Sequence, residues 1–336
     1  MPECGSQIIL CGLPIRFDTY KGCSHFCKYC FAQRKGELAR IEGKETEKAL
    51  AAFIQGARNK ETNWCDWDIP LHWGGLSDPF QPIERERKIS LACLQVLAKT
   101  QYPFVVSTKG KLIVEEPYLS LLEKCSCVVQ ISMVCSEYDK LEKGAPPYEE
   151  RLRMVEALAK RGKRVNIRIQ PYMTEALQDV LRNIPRLKSA GAYGVIVEGM
   201  KFAKKQAGLV KVGGDFVYPK KALERHYRTI RDTAHKNGLK FYCGENRLRD
   251  MGDSLICCGI DGLEGFKGNE FNLCHLLNGS KAKPTEKMKE KGTAECMGAI
   301  NQRTSARKNL KELSLEDALL GYYAKRRDYI KTIFGK

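Results

Sequence analysis

The chain has 336 residues, 57 Lys and Arg against 40 Asp and Glu, a formal charge of +17, and 15 cysteines. With 43% hydrophobic residues it can build a sizeable core, which excludes wholesale disorder. No run approaches the ~18 apolar residues of a membrane span, and the opening residues carry no basic segment followed by an apolar one, so a soluble cytoplasmic chain is expected. Disulfides are rare in a reducing cytoplasm, and an odd number of cysteines cannot pair completely. The cysteines are therefore either small buried apolar residues or, in part, thiolate ligands.

In chain order, strands are predicted at residues 7–11, 69–73, 104–107, 128–133, 165–170, 194–197 and 239–243. Helical periodicity falls between them. Residues 46–58 put Leu50, Phe53, Ile54 and Ala57 on one face, and residues 84–99 group Ile89, Cys93, Val96 and Leu97. Residues 148–161, 174–190 and 219–237 follow, with Pro219 suited to a first helical turn. Gly162, Gly191 and Gly238 stand where left-handed caps end helices just before the next strand. Such alternation implies a parallel sheet with right-handed crossovers. A complete or partial (β/α) barrel fits best, and a doubly wound open sheet is the alternative.

After Cys243 the pattern breaks. Residues 244–280 are rich in Gly and Asn and carry Cys257, Cys258 and Cys274. Residues 281–310 are Lys-rich and aperiodic, and Ser314 and Asp317 open a final helix through Leu319, Leu320, Tyr323 and Ile330. The division is one catalytic core, residues 1–245, with a C-terminal extension, residues 246–336. Residues 281–336 hold 14 basic and 7 acidic residues, which reads either as a solvated face or as a contact to nucleic acid.

The chemistry concentrates at Cys23, Cys27 and Cys30, spaced C-x3-C-x2-C on a loop after the first strand. Active sites gather on that face of a parallel barrel. Iron–sulfur clusters commonly take four thiolates, so three leave one iron open to a cofactor or substrate. A zinc site completed by Cys11 or His25 is the alternative, although structural zinc favours two separated ligand pairs.

The triplet, with Tyr29 before its last Cys, resembles the radical S-adenosylmethionine superfamily. The stretch Trp73-Gly74-Gly75-Leu76-Ser77-Asp78-Pro79-Phe80-Gln81-Pro82-Ile83-Glu84 resembles the SDP(Y/F)QP-x-E segment of its spore photoproduct lyase-like, or DNA-repair-photolyase-like, branch. Ser132, the stretch Leu141-Glu142-Lys143-Gly144-Ala145-Pro146 and the helix bearing Arg151 agree with it. The resemblance implies a partial (β/α)6 TIM-type barrel, a [4Fe–4S] cluster on Cys23, Cys27 and Cys30, and S-adenosyl-L-methionine cleaved to a 5′-deoxyadenosyl radical that abstracts a substrate hydrogen. It implies cofactor contacts from Gly74 and Gly75 (backbone to the methionine amino group), Ser77 and Asp78 (amino group or ribose) and Ser132 (ribose). Arg151 is expected on the methionine carboxylate, Lys109 near the cofactor, and Tyr29 and Phe31 beside the adenine. The alternative readings are a turn for the glycines, a turn cap for Asp78, a buried backbone-bonded Ser132 and a surface helix Arg151.

Glu198 ends a strand on the active face, as a substrate contact or a structural ion pair. Cys135, just past a strand, is a candidate hydrogen donor or a buried apolar Cys. Cys243, Cys257, Cys258 and Cys274 are candidates for a second iron–sulfur cluster, with Cys296 as a further ligand, although adjacent Cys257 and Cys258 are awkward joint ligands; a zinc site and ordinary structural cysteines are the alternatives. His25 reads as a filler, His72 as a core residue, and His226, His235 and His275 lack metal-type spacing. Residues 212–215 read as a turn rather than a phosphate loop. The expected partners are a reducing protein such as flavodoxin or ferredoxin and a DNA or RNA substrate. The competing functions are radical modification of a protein or peptide and a zinc-stabilised nucleic-acid-binding module.

Overall fold

Strand pairing follows the order of the chain. The structure is a computed structural model that describes residues 1–3, 10–32, 41–59, 62, 69–212 and 214–283. Its strands are β1 (Arg16–Phe17), β2 (Leu71–Trp73), β3 (Phe104–Thr108), β4 (Cys127–Ser132), β5 (Arg164–Tyr172), β6 (Gly194–Gly199), a hairpin of β7 (Val210–Val212) and β8 (Asp215–Val217), and β9 (Lys240–Cys243). The main sheet runs β1-β2-β3-β4-β5-β6-β9, every pair parallel. Each crossover carries a helix: α1 (Thr46–Ile54), α2 (Glu84–Arg87) with α3 (Ile89–Thr100), α4 (Tyr118–Glu123), α5 (Tyr148–Lys160), α6 (Leu177–Ser189) and α7 (Lys220–Lys236). Sequential winding contains no point where strand order reverses, so the doubly wound alternative falls. Among the described residues β1 and β9 do not pair with each other. The sheet is a partial (β/α)6 barrel.

Several expectations shift. Residues 7–9 of the first predicted strand lie outside the described residues, Leu10 and Cys11 are not in a strand, and β1 lies closer to the cysteine loop. There Ile15 O accepts from His72 N, and Phe17 O from Gly74 N. The helix predicted over 84–99 splits at Lys88, whose φ is 53°. The Glu84 carboxylate explains the break: it accepts from Ser90 N and Leu91 N at 2.9 and 2.8 Å, capping the first turn of α3. Pro219 precedes α7 by one residue. Helix α4 and the β7–β8 hairpin have no counterpart among the predicted elements, and the hairpin pairs Val212 with Asp215 across the expected turn. Gly162, Gly191 and Gly238 all have left-handed backbone, as caps require. The predicted final helix lies outside the described residues.

Alternation along the strands creates two environments. Phe17, Trp73, Val106, Val129, Ile167, Val197 and Phe241 join Leu50, Leu97, Val155, Ile184 and Ile230 of the helices in the main core. The intervening residues face the barrel lumen and are largely polar. The lumen floor is apolar: Val105 and Val128 pack with Leu13, Cys258 and Ile260. The segment after β9 therefore folds back into the barrel. Cys258 O accepts from Gln130 Nε2 at 3.1 Å, and Arg164 donates to Asp261 O at 2.7 Å. Gly259 permits the close approach, since a Cβ there would lie 2.3 Å from Asn166 Nδ2.

Candidate active site

The cysteine loop leaves the C-terminal end of β1. Cys23 and Cys30 are half-buried, Cys27 is buried, and all three are free thiols. Burial, then the Asp78 carboxylate, pushes the Cys23 thiol up to about 12. Burial also raises Cys27, while Lys109 opposes the shift. Binding a metal there releases protons. Between these cysteines His25 is buried, its Nδ1 donating to Gly144 O at 2.7 Å and its Nε2 3.0 Å from Asp78 Oδ2. His25 is thus a buttress of the loop.

The SDPFQP block wraps the loop from one side. Asp18 Oδ1 accepts from Leu76 N and Ser77 N at 2.9 and 3.0 Å. Ser77 Oγ donates to Tyr20 O. Asp78 accepts from Phe80 N (2.9 Å), Thr108 Oγ1 (2.6 Å) and Lys109 N (2.6 Å). Burial raises the Asp78 pKa, but His25 and these donors outweigh it and hold the carboxyl at about 2. The Gln81 amide donates to Gly22 O at 2.8 Å and accepts from Ser24 N at 2.7 Å, as a neighbouring strand would. Glu84 accepts from the hydroxyls of Tyr20 and Tyr118. The side chains of Ser77 and Asp78, the expected cofactor contacts, bond within the chain, and Asp78 caps its turn.

The block at 141–146 closes the other side. Lys28 N donates to Leu141 O at 2.8 Å, and Gly144 N to His25 O at 3.1 Å. A Cβ on Gly144 would stand 2.5 Å from Ser24 O, so glycine is required for this approach. The buried Glu142 carboxylate receives the Tyr29 hydroxyl, Arg151 at 2.5 Å and Lys109 at 3.8 Å. Burial and Glu142 together drive the Tyr29 pKa far upward. Arg151 is wholly buried and also donates to Ser132 O at 2.7 Å and Asp139 Oδ1 at 3.1 Å. This overturns the alternative of a surface helix Arg151, and its terminal nitrogens bond the chain's own acceptors. Phe31 is 43% exposed.

The two glycines after β2 differ. Gly74 has φ of 84°, and a Cβ there would lie 2.4 Å from Ser107 O, so the turn itself demands glycine. Gly75 has only ordinary contacts around its added Cβ, the nearest Arg16 Cδ at 3.5 Å. Beyond it a polar band crosses the lumen. Ser107 Oγ contacts His72 Nε2 at 3.0 Å and donates to Gln130 Oε1 at 2.8 Å. Arg168 donates to Ser107 Oγ at 2.9 Å and to Gln170 Oε1 at 3.0 Å. Gln170 Nε2 donates to Glu198 Oε2 at 2.8 Å, and Lys201 pairs with Glu198 at 2.7 Å. Burial, then Arg168, depresses His72 to about 3, so its ring is neutral at physiological pH. Ser132 ends β4 in register with Arg168.

Cys135 has the surroundings of its second reading, a buried apolar Cys. It is 2% exposed in the helix–sheet core with Met133, Tyr138 and Tyr148.

The C-terminal cysteines divide. Cys258 sits in the lumen-floor cluster, Cys11 and Cys257 pack against that cluster, and the Cys257 and Cys258 thiols bond each other. Cys243, Cys257 and Cys274 lie within electrostatic reach of the buried Arg249, together with Cys11. Cys11 and Arg249 were absent from the sequence-based set, because nothing in local spacing links them to it. Cys296 lies outside the described residues. Among the described residues, no three His, Cys, Asp or Glu side chains meet at a point fit for one metal ion.

No protein-family model matches the chain. Uncharacterized proteins of Mycobacterium tuberculosis and Mycobacterium bovis are 25% identical over 206 residues, covering 56% of this chain. The chain spans 59% of the length of these relatives. Among solved structures, a spore photoproduct lyase double mutant with bound AdoMet and dinucleoside spore photoproduct aligns with TM-score 0.54 and 15% identity, covering 68% of this chain and 76% of that one. A further mutant of the same lyase aligns with TM-score 0.53, 15% identity and the same coverage. The chain therefore shares the fold of spore photoproduct lyase. No helix among the described residues is long and apolar enough to cross a membrane.

Proposed function

We propose that the chain is a radical S-adenosylmethionine enzyme whose [4Fe–4S] cluster is held by Cys23, Cys27 and Cys30. One observation carries the reading: two distant sequence blocks, around Asp78–Gln81 and Leu141–Gly144, clasp a loop of three free thiols at the C-terminal face of a partial parallel barrel. The donor set fits the group, since soft thiolates suit iron–sulfur clusters and three of them leave one iron without a protein ligand. When bound, the cluster supplies the electron that cleaves S-adenosylmethionine, and the resulting 5′-deoxyadenosyl radical takes a hydrogen atom from the substrate. The chain's own residues bind and orient. His25, Gln81 and Gly144 hold the loop in shape. Gly75 leaves its backbone open to the amino-acid end of the cofactor. Lys109 sets positive charge 5.8 Å from the Tyr29 ring, beside the cysteines. Neutral His72, Arg168, Gln170 and Glu198 offer a donor and acceptor band to a polar substrate.

The substrate class we propose is nucleic acid. The charge of +17 supports it, as do exposed Lys204, Lys205 and Lys211 on the connection leaving the active face after β6. The dinucleoside spore photoproduct bound to the similar fold is a further support. A flavodoxin- or ferredoxin-type protein is the proposed electron donor. The test is anaerobic incubation of reduced, reconstituted protein with S-adenosylmethionine and deuterated DNA, RNA or peptide. The expected result is 5′-deoxyadenosine carrying deuterium from a nucleic acid. Deuterium only from peptide would replace the substrate class. Formation of 5′-deoxyadenosine by a Cys23→Ala/Cys27→Ala/Cys30→Ala variant would overturn the enzyme assignment.

A further inference from the structure

A second group of thiols surrounds a buried cation that pairs with no carboxylate among the described residues. Arg249 is 6% exposed, in the segment that follows β9. Its guanidinium donates to Asn246 Oδ1 at 2.6 Å and Gly244 O at 3.3 Å, while its Nε is buried without a hydrogen-bond partner. Among the described residues no carboxylate forms an ion pair with it. Burying a cation without a counter-charge is costly, so the site calls for an anion.

The groups that face it are Cys257, Cys274, Cys243 and Cys11. All four are free; Cys243 and Cys274 are fully buried, and Cys11 and Cys257 half-buried. They arrive on three segments that the fold fastens together. Asn269 N donates to Gly12 O at 2.7 Å. A Cβ at Gly12 or Gly268 would come within 2.8 or 2.2 Å of the Ile256 side chain, next to Cys257. Gly252 packs on the backbone of Cys243, where an added Cβ would lie 2.9 Å from its nitrogen. Asn272 caps α8 (Leu273–Leu277), the short helix that carries Cys274, by accepting from His275 N at 3.1 Å.

We propose that Cys11, Cys243, Cys257 and Cys274 bind a second iron–sulfur cluster, whose negative charge compensates the buried Arg249 guanidinium. Four thiolates complete a [4Fe–4S] cluster and leave no iron open. The thiols do not meet at one point, which is wrong for tetrahedral zinc but is no obstacle to a cluster in which each iron takes its own thiolate. Cys258, whose thiol bonds that of Cys257, is a neighbour of the set.

The test is iron and sulfide analysis of the full chain reconstituted anaerobically, with Mössbauer spectra to identify the clusters. Wild-type protein is expected to hold about eight irons and eight sulfides per chain. The Cys23→Ala/Cys27→Ala/Cys30→Ala variant, which leaves the extension intact, is expected to keep about four, as is Cys257→Ser/Cys274→Ser. Cys93→Ala, in the helix–sheet core, is expected to keep the wild-type content. Arg249→Gln is expected to move the midpoint potential of the second cluster to more negative values, leaving that of the first unchanged. Wild-type protein with about four irons, a triple variant with none, or zinc in place of iron would each overturn the proposal. Because each set is removed separately and 5′-deoxyadenosine reports on the first alone, failure of the second cluster is distinguishable from failure of the enzyme assignment. If Cys257→Ser/Cys274→Ser does not fold, the triple variant decides alone.

Discussion

The two thiol sets are held in opposite ways. Cys23, Cys27 and Cys30 sit on one short loop, and the chain supplies bonds around them: Gln81 to Gly22 and Ser24, His25 to Gly144 and Asp78, and Glu142 to Tyr29. Cys11, Cys243, Cys257 and Cys274 come from distant segments and share a cation with no carboxylate partner among the described residues. The first set is local in sequence and braced by remote side chains. The second is assembled only when the extension closes against the barrel. Bracing and closure are separable, so a substitution can strike one set and spare the other.

The largest separation is expected from Gln81→Ala. It strands Gly22 O and Ser24 N beneath a buried position, a cost of about 2 kcal/mol or more by urea unfolding. Iron analysis should show loss from the first loop with the second set's iron retained; equal loss from both would break the distinction. Asp78 gives the next effect. Its carboxyl is held at about 2 against an ordinary 3.8, so its contribution of about 2 kcal/mol is complete above the unfolded value and is lost as pH falls through the folded one. Acid titration of stability should show this loss between pH ~4 and ~2, and Asp78→Asn should flatten it. Gly144→Ala forces a Cβ against Ser24 O and should cost about 1–3 kcal/mol in thermal unfolding, with weaker iron retention at the first loop only. The smallest effect belongs to Cys135→Ala. Loss of a core thiol should lower stability by about 1 kcal/mol while deuterium transfer and both iron counts stay unchanged; an altered product distribution would return Cys135 to the reaction.

Much of the architecture was legible from periodicity. Apolar runs at β2 to β6 and β9, and Gly162, Gly191 and Gly238 after the helices, carry the barrel because both signals are local. The first strand misled because the apolar run at residues 7–11 is more conspicuous than Arg16–Phe17, whose strand character comes from pairing with β2. The cysteine triplet was legible for the same local reason. Ser77, Asp78 and Arg151 were legible as special but not in role: a polar residue in a motif does not announce whether a ligand or its own chain will satisfy it. Glu142 and Arg151 neutralise one another only after folding. Cys11 and Arg249 left no trace, since their association depends on the extension returning to the start of the chain.

The bond between His25 and Gly144 spans 119 positions, and that between Tyr29 and Glu142 spans 113. During synthesis the three cysteines leave the ribosome long before the residues that shape their loop, because a chain emerges N-terminus first. Any group that the three thiols bind meets the finished frame only after β4 and the segment after it have been made. Over that interval the fold gives the nascent thiols no protection.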